Sequence, residues 1–365
     1  QVAVVETPFR DLGAEGQDAG AALVVEYEAG TGGQLSLAAP GAPPRTVRLR
    51  TAGAKLVLPA ALFPDGCASL ELRAPGALRL RSVAARRLPA EELELLDLGA
   101  ILDLPARDAG ADFDLYRWDL LPTVLVFDFK DYATQDRYLK RLAFFVEKKG
   151  FKGRLAPDAE IAGLHGWNAH DYRTEDLAAF FEAARASSFP LLREERELAG
   201  ILAARGLIRE KGGRFEAGEG ALISITRESA TYLRSMFVTH ESTHAIFFAD
   251  AEYRAFVVAA WAAVPAEEKW FWKLYFGWMN YDTANAYLMA NEFQAYLLQQ
   301  PLFKVEEYFT KVLPPRLLEN HPELAPRIEA YMEEFGASFA LRAAELEGYL
   351  SRKYGILAGR AHFVQ

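Results

Sequence analysis

His240-Glu241-Ser242-Thr243-His244 is the stretch that most limits how this chain can fold, because its two histidines act together only if they stand on a helix. Residues four apart on a helix lie one turn above each other, so both imidazoles can face one metal ion. Leu233, Phe237, His240, His244 and Phe248 recur at three- and four-residue intervals, which puts the histidines on the buried face of a helix expected over 229–250. Two buried imidazoles without partners are costly, and a metal ion supplies a partner. The same helix holds Glu241 near the ion without making it a ligand. Two neutral nitrogen ligands, an open position for water and a carboxylate to take the water's proton are what a zinc hydrolase requires. The competing reading is a pair of histidines hydrogen-bonded within a core.

A third protein ligand is needed. No histidine occupies the six residues after His244, and Cys67 is the chain's one cysteine, so neither a third nearby imidazole nor a thiolate cluster is available. Asn291-Glu292-Phe293-Gln294-Ala295-Tyr296 offers a carboxylate on a second expected helix, with Tyr296 one turn further along the same face. Glu252, Glu267 and Glu268 are rival carboxylates. On these residues the chain resembles the gluzincin group of zinc metallopeptidases, over approximately 221–300. The resemblance implies one Zn2+ held by His240, His244 and Glu292, with Glu241 as general base to a metal-activated water. It also implies cleavage of peptide bonds in a protein or peptide substrate, and an oxyanion donor near the third-ligand helix, for which Tyr281, Tyr287 and Tyr296 stand in reach. Two departures accompany it. The stretch from His244 to Glu292 is long, so an insertion must fold between the helices. Tyr296 stands where an aspartate is usual, leaving the group that orients a ligand histidine to Asp250 or Asp282.

At 365 residues the chain has length for two or three domains. Hydrophobic content of 51% with 25% charged residues fits a globular protein. A net charge of -9 gives no basic face for nucleic acid. Residues 1–88 hold 10 Lys+Arg against 8 Asp+Glu, so the acidity belongs to the remainder, which contains the motif. Cys67 reads as a small apolar residue packed in a strand. Beginning at Gln1 suggests a removed secretion signal and an exported, periplasmic, cell-surface or extracellular protein, with a cytoplasmic place the alternative. The longest apolar run, 245–264, is broken by Asp250, Glu252 and Arg254, so no transmembrane segment is expected.

The expected fold class is α+β and multidomain. Within 1–88, short alternating stretches (23–27, 34–37, 46–50, 69–72 and 77–83) separated by Gly and Pro predict an antiparallel β-sandwich. Its rhythm resembles jelly-roll modules that bind carbohydrate, implying a glycan or cell-surface contact, or a spacer. Residues 89–112 read as a linker with a short helix. Residues 113–220 form the α/β part, with a strand at 123–127 and helices at 135–149, 174–186 and 194–205. Residues 221–365 are the helical zinc-site region, opened by a strand at 221–226 expected to lie at a sheet edge, where an extended peptide can pair.

Two further stretches stand out. The run from His165 to Tyr172 is a polar, aromatic loop. It lines a cleft, supplies a donor through His170, forms a second metal site with Asp171, or is held by its own hydrogen bonds with Asp171 or Thr174 capping the next helix. The aromatic run 270–281 reads as a helix buried among others, with an apolar substrate wall or a membrane-surface contact as alternatives.

The chain also admits a non-catalytic reading: a zinc-stabilised adhesion protein, for which Glu241 would have no use. A third reading is a zinc hydrolase of a cell-wall cross-link.

Overall fold

Alternating side chains make strands in the first part of the chain. The computed structural model describes residues 2–6, 20–28, 30, 33–38, 44–51, 53, 55–63, 69–73 and 79–365. The chain is mixed α+β, with small sheets and a helical C-terminal part. It divides into two units: 1–122 with 351–356 and 361–365, and 123–350 with 357–360.

In the first unit, strands β1 (Val2–Glu6), β2 (Ala21–Tyr27), β3 (Gly33–Ala38), β4 (Arg45–Leu49), β5 (Lys55–Pro59), β6 (Ser69–Arg73) and β7 (Leu80–Arg87) form two antiparallel sheets. Their orders are β1-β6-β3-β4 and β5-β2-β7. Along β3 and β4 the apolar Leu35, Leu37, Val47 and Leu49 are buried while their neighbours are not, as a half-buried strand requires. Cys67, Ala77 and Leu78 lie outside the described residues. The stretch 89–112 carries α1 (Ala90–Leu93), β8 (Leu95–Leu96) and α2 (Leu98–Asp103), and β8 pairs in parallel with β9 (Phe113–Trp118). Buried Asp97 caps α2 through Gly99 N and also accepts from Phe363 N and Val364 N, binding the last residues of the chain to this unit.

The second unit opens with β10 (Val124–Phe129), α3 (Tyr132–Val146), α4 (Asp158–Ile161), β11 (His170–Arg173), α5 (Thr174–Ala186) and α6 (Arg193–Ala204). A hairpin of β12 (Ile208–Lys211) and β13 (Arg214–Ala217) follows, turning on Gly212 and Gly213, whose φ values of 59° and 72° suit glycine. Strand β14 (Ala221–Thr226) comes next, pairing in parallel with β10 and antiparallel with β11. Every residue of β14 is buried, the pattern of a strand covered on both sides. The expectation that 221–226 forms the sheet edge is therefore corrected. In this unit β11 is the edge strand, and β11 is built from residues read in sequence as loop. Gly220 makes the close approach possible, since a Cβ there would lie 2.0 Å from the Thr123 carbonyl oxygen.

Helices α7 (Thr231–Ala249), α8 (Ala251–Ala262), α9 (Ala266–Trp278), α10 (Ala286–Leu298), α11 (Leu302–Glu307), α12 (Leu313–Asn320) and α13 (Ala325–Tyr354) complete the chain. The long stretch from His244 to Glu292 is thus filled by α8 and α9. Trp272 on α9 packs against Phe293, Phe309 and Phe339, so the aromatic run is largely helix core. Among the described residues, no helix is long and apolar enough to cross a membrane.

Candidate metal centre

Helix α7 lies on β14 and against α10. Its middle is buried on all sides from Val238 to Phe247, although it contains Thr239, Ser242 and Thr243. Each hydroxyl bonds back to its own helix: Thr239 to Ser235 O (2.8 Å), Ser242 to Thr239 O (2.9 Å) and Thr243 to His240 O (2.8 Å). Back-bonding of this kind lets small polar residues sit in a buried helix without orphaned groups. The helix ends where Asp250 turns outward and caps α8 by accepting from Glu252 N (3.0 Å) and Tyr253 N (3.2 Å).

His240 and His244 face the same side, with their Nε2 atoms 3.0 Å apart. Glu292 on α10 brings Oε2 to 3.8 Å from His240 Nε2 and 3.7 Å from His244 Nε2. These three side chains are buried, and that oxygen has no hydrogen-bond partner. Such an orphan costs about 1–3 kcal/mol unless something else satisfies it. A tetrahedral zinc with bonds of ~2.0–2.1 Å spaces its ligand atoms by ~3.3 Å, close to the sides of this triangle. The three donors fit a divalent cation.

Proton positions agree with that fit. His240 Nδ1 meets the amide oxygen of Gln299 at 3.1 Å and donates to it, which leaves Nε2 as the lone-pair nitrogen, turned toward His244 Nε2. Burial, and then the neighbouring His244, hold the His240 pKa well below the ordinary range, so the ring is neutral. Burial pushes Glu292 well above the usual carboxylate range, helped by Asp171 and Glu147 and opposed by a hydrogen bond from Tyr281. Burial also raises Glu241 strongly, followed by the charge of Asp171 and a hydrogen bond with it. Acid groups so crowded together are the surroundings in which a cation is stabilising.

The partner that orients His240 is Gln299, which the sequence did not single out. Asp250 caps α8, and Asp282 accepts from Ala284 N at 3.1 Å in a turn, so the two aspartates considered for that role are engaged elsewhere. The rival ligand Glu268 pairs with Arg342 and Ser338. Of the three tyrosines, Tyr281 reaches Glu292 and shares a hydrogen bond with Tyr296. Tyr296 sets its ring edge-on to His240 at 4.7 Å. Tyr287 stands further along the wall, against Phe247 and under the Arg173 guanidinium.

Residues 165–172 come to the site in two ways. Trp167 stacks on Tyr281 at 5.6 Å, while its indole N–H donates to Glu147. Along β11, His170 and Tyr172 are buried on one face, and Asp171 and Arg173 lie on the other, lining an open cleft with Glu292 and Tyr287. His170 is bound to Tyr172 OH at 2.8 Å, and burial lowers its pKa to about 3. It is a neutral packed residue. Asp171 brings Oδ1 to 3.9 Å from His244 Nε2 and groups with Glu241 and His244.

Compared with protein-family models, curated proteins and solved structures, the chain finds no match.

Proposed function

We propose that this chain is a zinc-dependent endopeptidase of gluzincin type. The observation that carries the reading is a buried donor set of three, His240, His244 and Glu292, with Glu241 gathered beside it with Asp171, and Asp171 and Glu292 lining a cleft. A structural zinc site closes with four protein ligands, whereas a catalytic one keeps a position open. Zinc is favoured by the two imidazole nitrogens and one carboxylate oxygen.

When bound, the ion supplies Lewis acidity. The chain's own residues supply the rest. His240, oriented by Gln299, and His244 offer Nε2, and Glu292 offers Oε2. Glu241 accepts a proton from water at its carboxylate and returns it to the leaving amine. Tyr281 and Tyr296, whose phenols burial holds well above their ordinary range, stay protonated as donors beside Glu292. Edge strand β11 offers unpaired backbone groups to an extended peptide. The proposal extends to a zincin-like arrangement of the second unit, and to a β-sandwich formed by the two sheets of the first, with a glycan as its ligand.

The experiment is paired. Metal content is measured in the wild type and in His244→Ala, and cleavage of an unstructured protein is measured in the wild type and in Glu241→Ala. About one zinc per chain is expected, lost in His244→Ala, together with cleavage that falls by ~100-fold or more in Glu241→Ala with zinc retained. A wild type without zinc overturns the reading. Zinc with no cleavage favours the adhesion protein or the cell-wall hydrolase.

A further inference from the structure

Helix α10 carries Glu292 and is followed at once by Gln299, whose amide oxygen accepts from His240 Nδ1 at 3.1 Å. The last carbonyls of a helix have no partner within it and must find one elsewhere. At this end the partner comes from far along the chain: Gly359 N donates to Leu298 O at 2.7 Å. Gly359 also lies close against Pro301. A Cβ built on it would stand 2.4 Å from Pro301 N and 2.6 Å from the ring carbons Cγ and Cδ. Its φ of 74° is in the left-handed region, so glycine is required both by conformation and by space. Gln299 sits between the two residues that Gly359 touches.

The turn that carries Gly359 is itself held. Leu357 and Arg360 bridge across it, with Arg360 N donating to Leu357 O at 3.0 Å, and Ala358 N donates to Glu347 Oε2 of α13 at 2.7 Å. Gln299 needs such support. Its side chain has three rotatable bonds and starts at the end of a helix, where fraying begins. It keeps one orientation only if the backbone beneath it is fixed.

We propose that the turn Leu357–Arg360 is a positioning element of the metal centre, in which Gly359 closes the C-terminal end of α10 and so holds Gln299 where its amide oxygen orients His240. This rests on the reading of His240 as a metal ligand. The turn itself supplies no ligand.

The test uses the full chain and needs no turnover. Gly359→Ala is compared with Gly355→Ala, a glycine with the same φ of 74° whose Cβ would meet the Phe363 ring no nearer than 3.4 Å. Zinc affinity, from competition with a chelator, falls ~10-fold in Gly359→Ala and stays within about twofold of wild type in Gly355→Ala. The visible absorption of bound Co2+, which follows ligand geometry, changes in the first variant and not in the second. In the metal-free chain, ring-nitrogen NMR of His240 shows a single tautomer in the wild type and an exchanging mixture in Gly359→Ala. Added to Gln299→Leu, Gly359→Ala costs little further affinity, because both act through one hydrogen bond. Should Gly359→Ala not fold, Glu347→Ala loosens the same turn by freeing Ala358 N, and lowers zinc affinity about threefold. A wild type that binds no zinc ends the metal reading, while the His240 tautomer still judges the turn. Three outcomes overturn the proposal: a Gly359→Ala chain equal to Gly355→Ala in zinc affinity; His240 ring signals unchanged in Gly359→Ala; or a loss in Gly359→Ala that adds in full to that of Gln299→Leu.

Discussion

Gln299 holds His240 in one tautomer by a single hydrogen bond across 59 residues of sequence. Replacing it with leucine leaves a buried N–H without an acceptor and frees the ring to turn, so zinc affinity should fall about 10–100-fold, read by chelator competition. Gln299→Glu, which keeps an acceptor oxygen, should retain most of it. Tyr281→Phe keeps the stack on Trp167 but removes the phenol that reaches Glu292, and a loss of ~10-fold in zinc affinity with unchanged thermal stability is expected. The motif pair and Glu241 were legible because a four-residue spacing is itself a geometric statement. Glu292 was legible as a carboxylate on a helix with Tyr296 one turn on. Gln299 was not, since nothing in its local sequence links it to His240. Asp171 stood out only as one polar residue among several, because its meaning depends on which face of a short strand it occupies.

Helix α7 is fixed to the sheet at its first turn by charge. Asp128 on β10 is fully buried and receives Arg234 of α7 at 3.0 and 3.1 Å, with Arg227 Nε at 3.1 Å. Arg234→Met should cost about 3 kcal/mol in denaturant unfolding, because it leaves a buried carboxylate short of one partner. The Arg234→Met/Asp128→Asn pair should recover part of that loss. Helix periods and the strand at 221–226 could be read along the chain, since each is a local pattern. Whether β14 lay inside or at the edge could not, because a run of six buried residues leaves its neighbours undecided. Those neighbours come from distant segments, β10 and β11, and four-residue β11 is too short for alternation to distinguish it from a polar loop.

At the scale of the molecule, removing metal should lower stability by mass action. With free zinc at ~1,000 times Kd the ion contributes about 4 kcal/mol, so a chelator should depress the melting temperature of the wild type and leave that of His244→Ala unmoved. The first unit carries a separate pH dependence. Burial pushes Asp119 up to about 6 against the opposing pull of Arg50. A carboxyl raised in the folded state favours folding when protonated. Stability from this group is therefore present below the usual carboxylate range and lost as pH rises through about 6. Asp119→Asn should flatten the thermal-stability profile between those limits. Seen as a polymer, the centre is also a cross-link. Its two imidazoles and its carboxylate sit at the ends of the loop that contains α8 and α9, so an ion that joins them removes chain entropy from every partly opened state of that loop. Amide hydrogens in α8 and α9, far from any ligand atom in sequence, should exchange more slowly once the ion is bound.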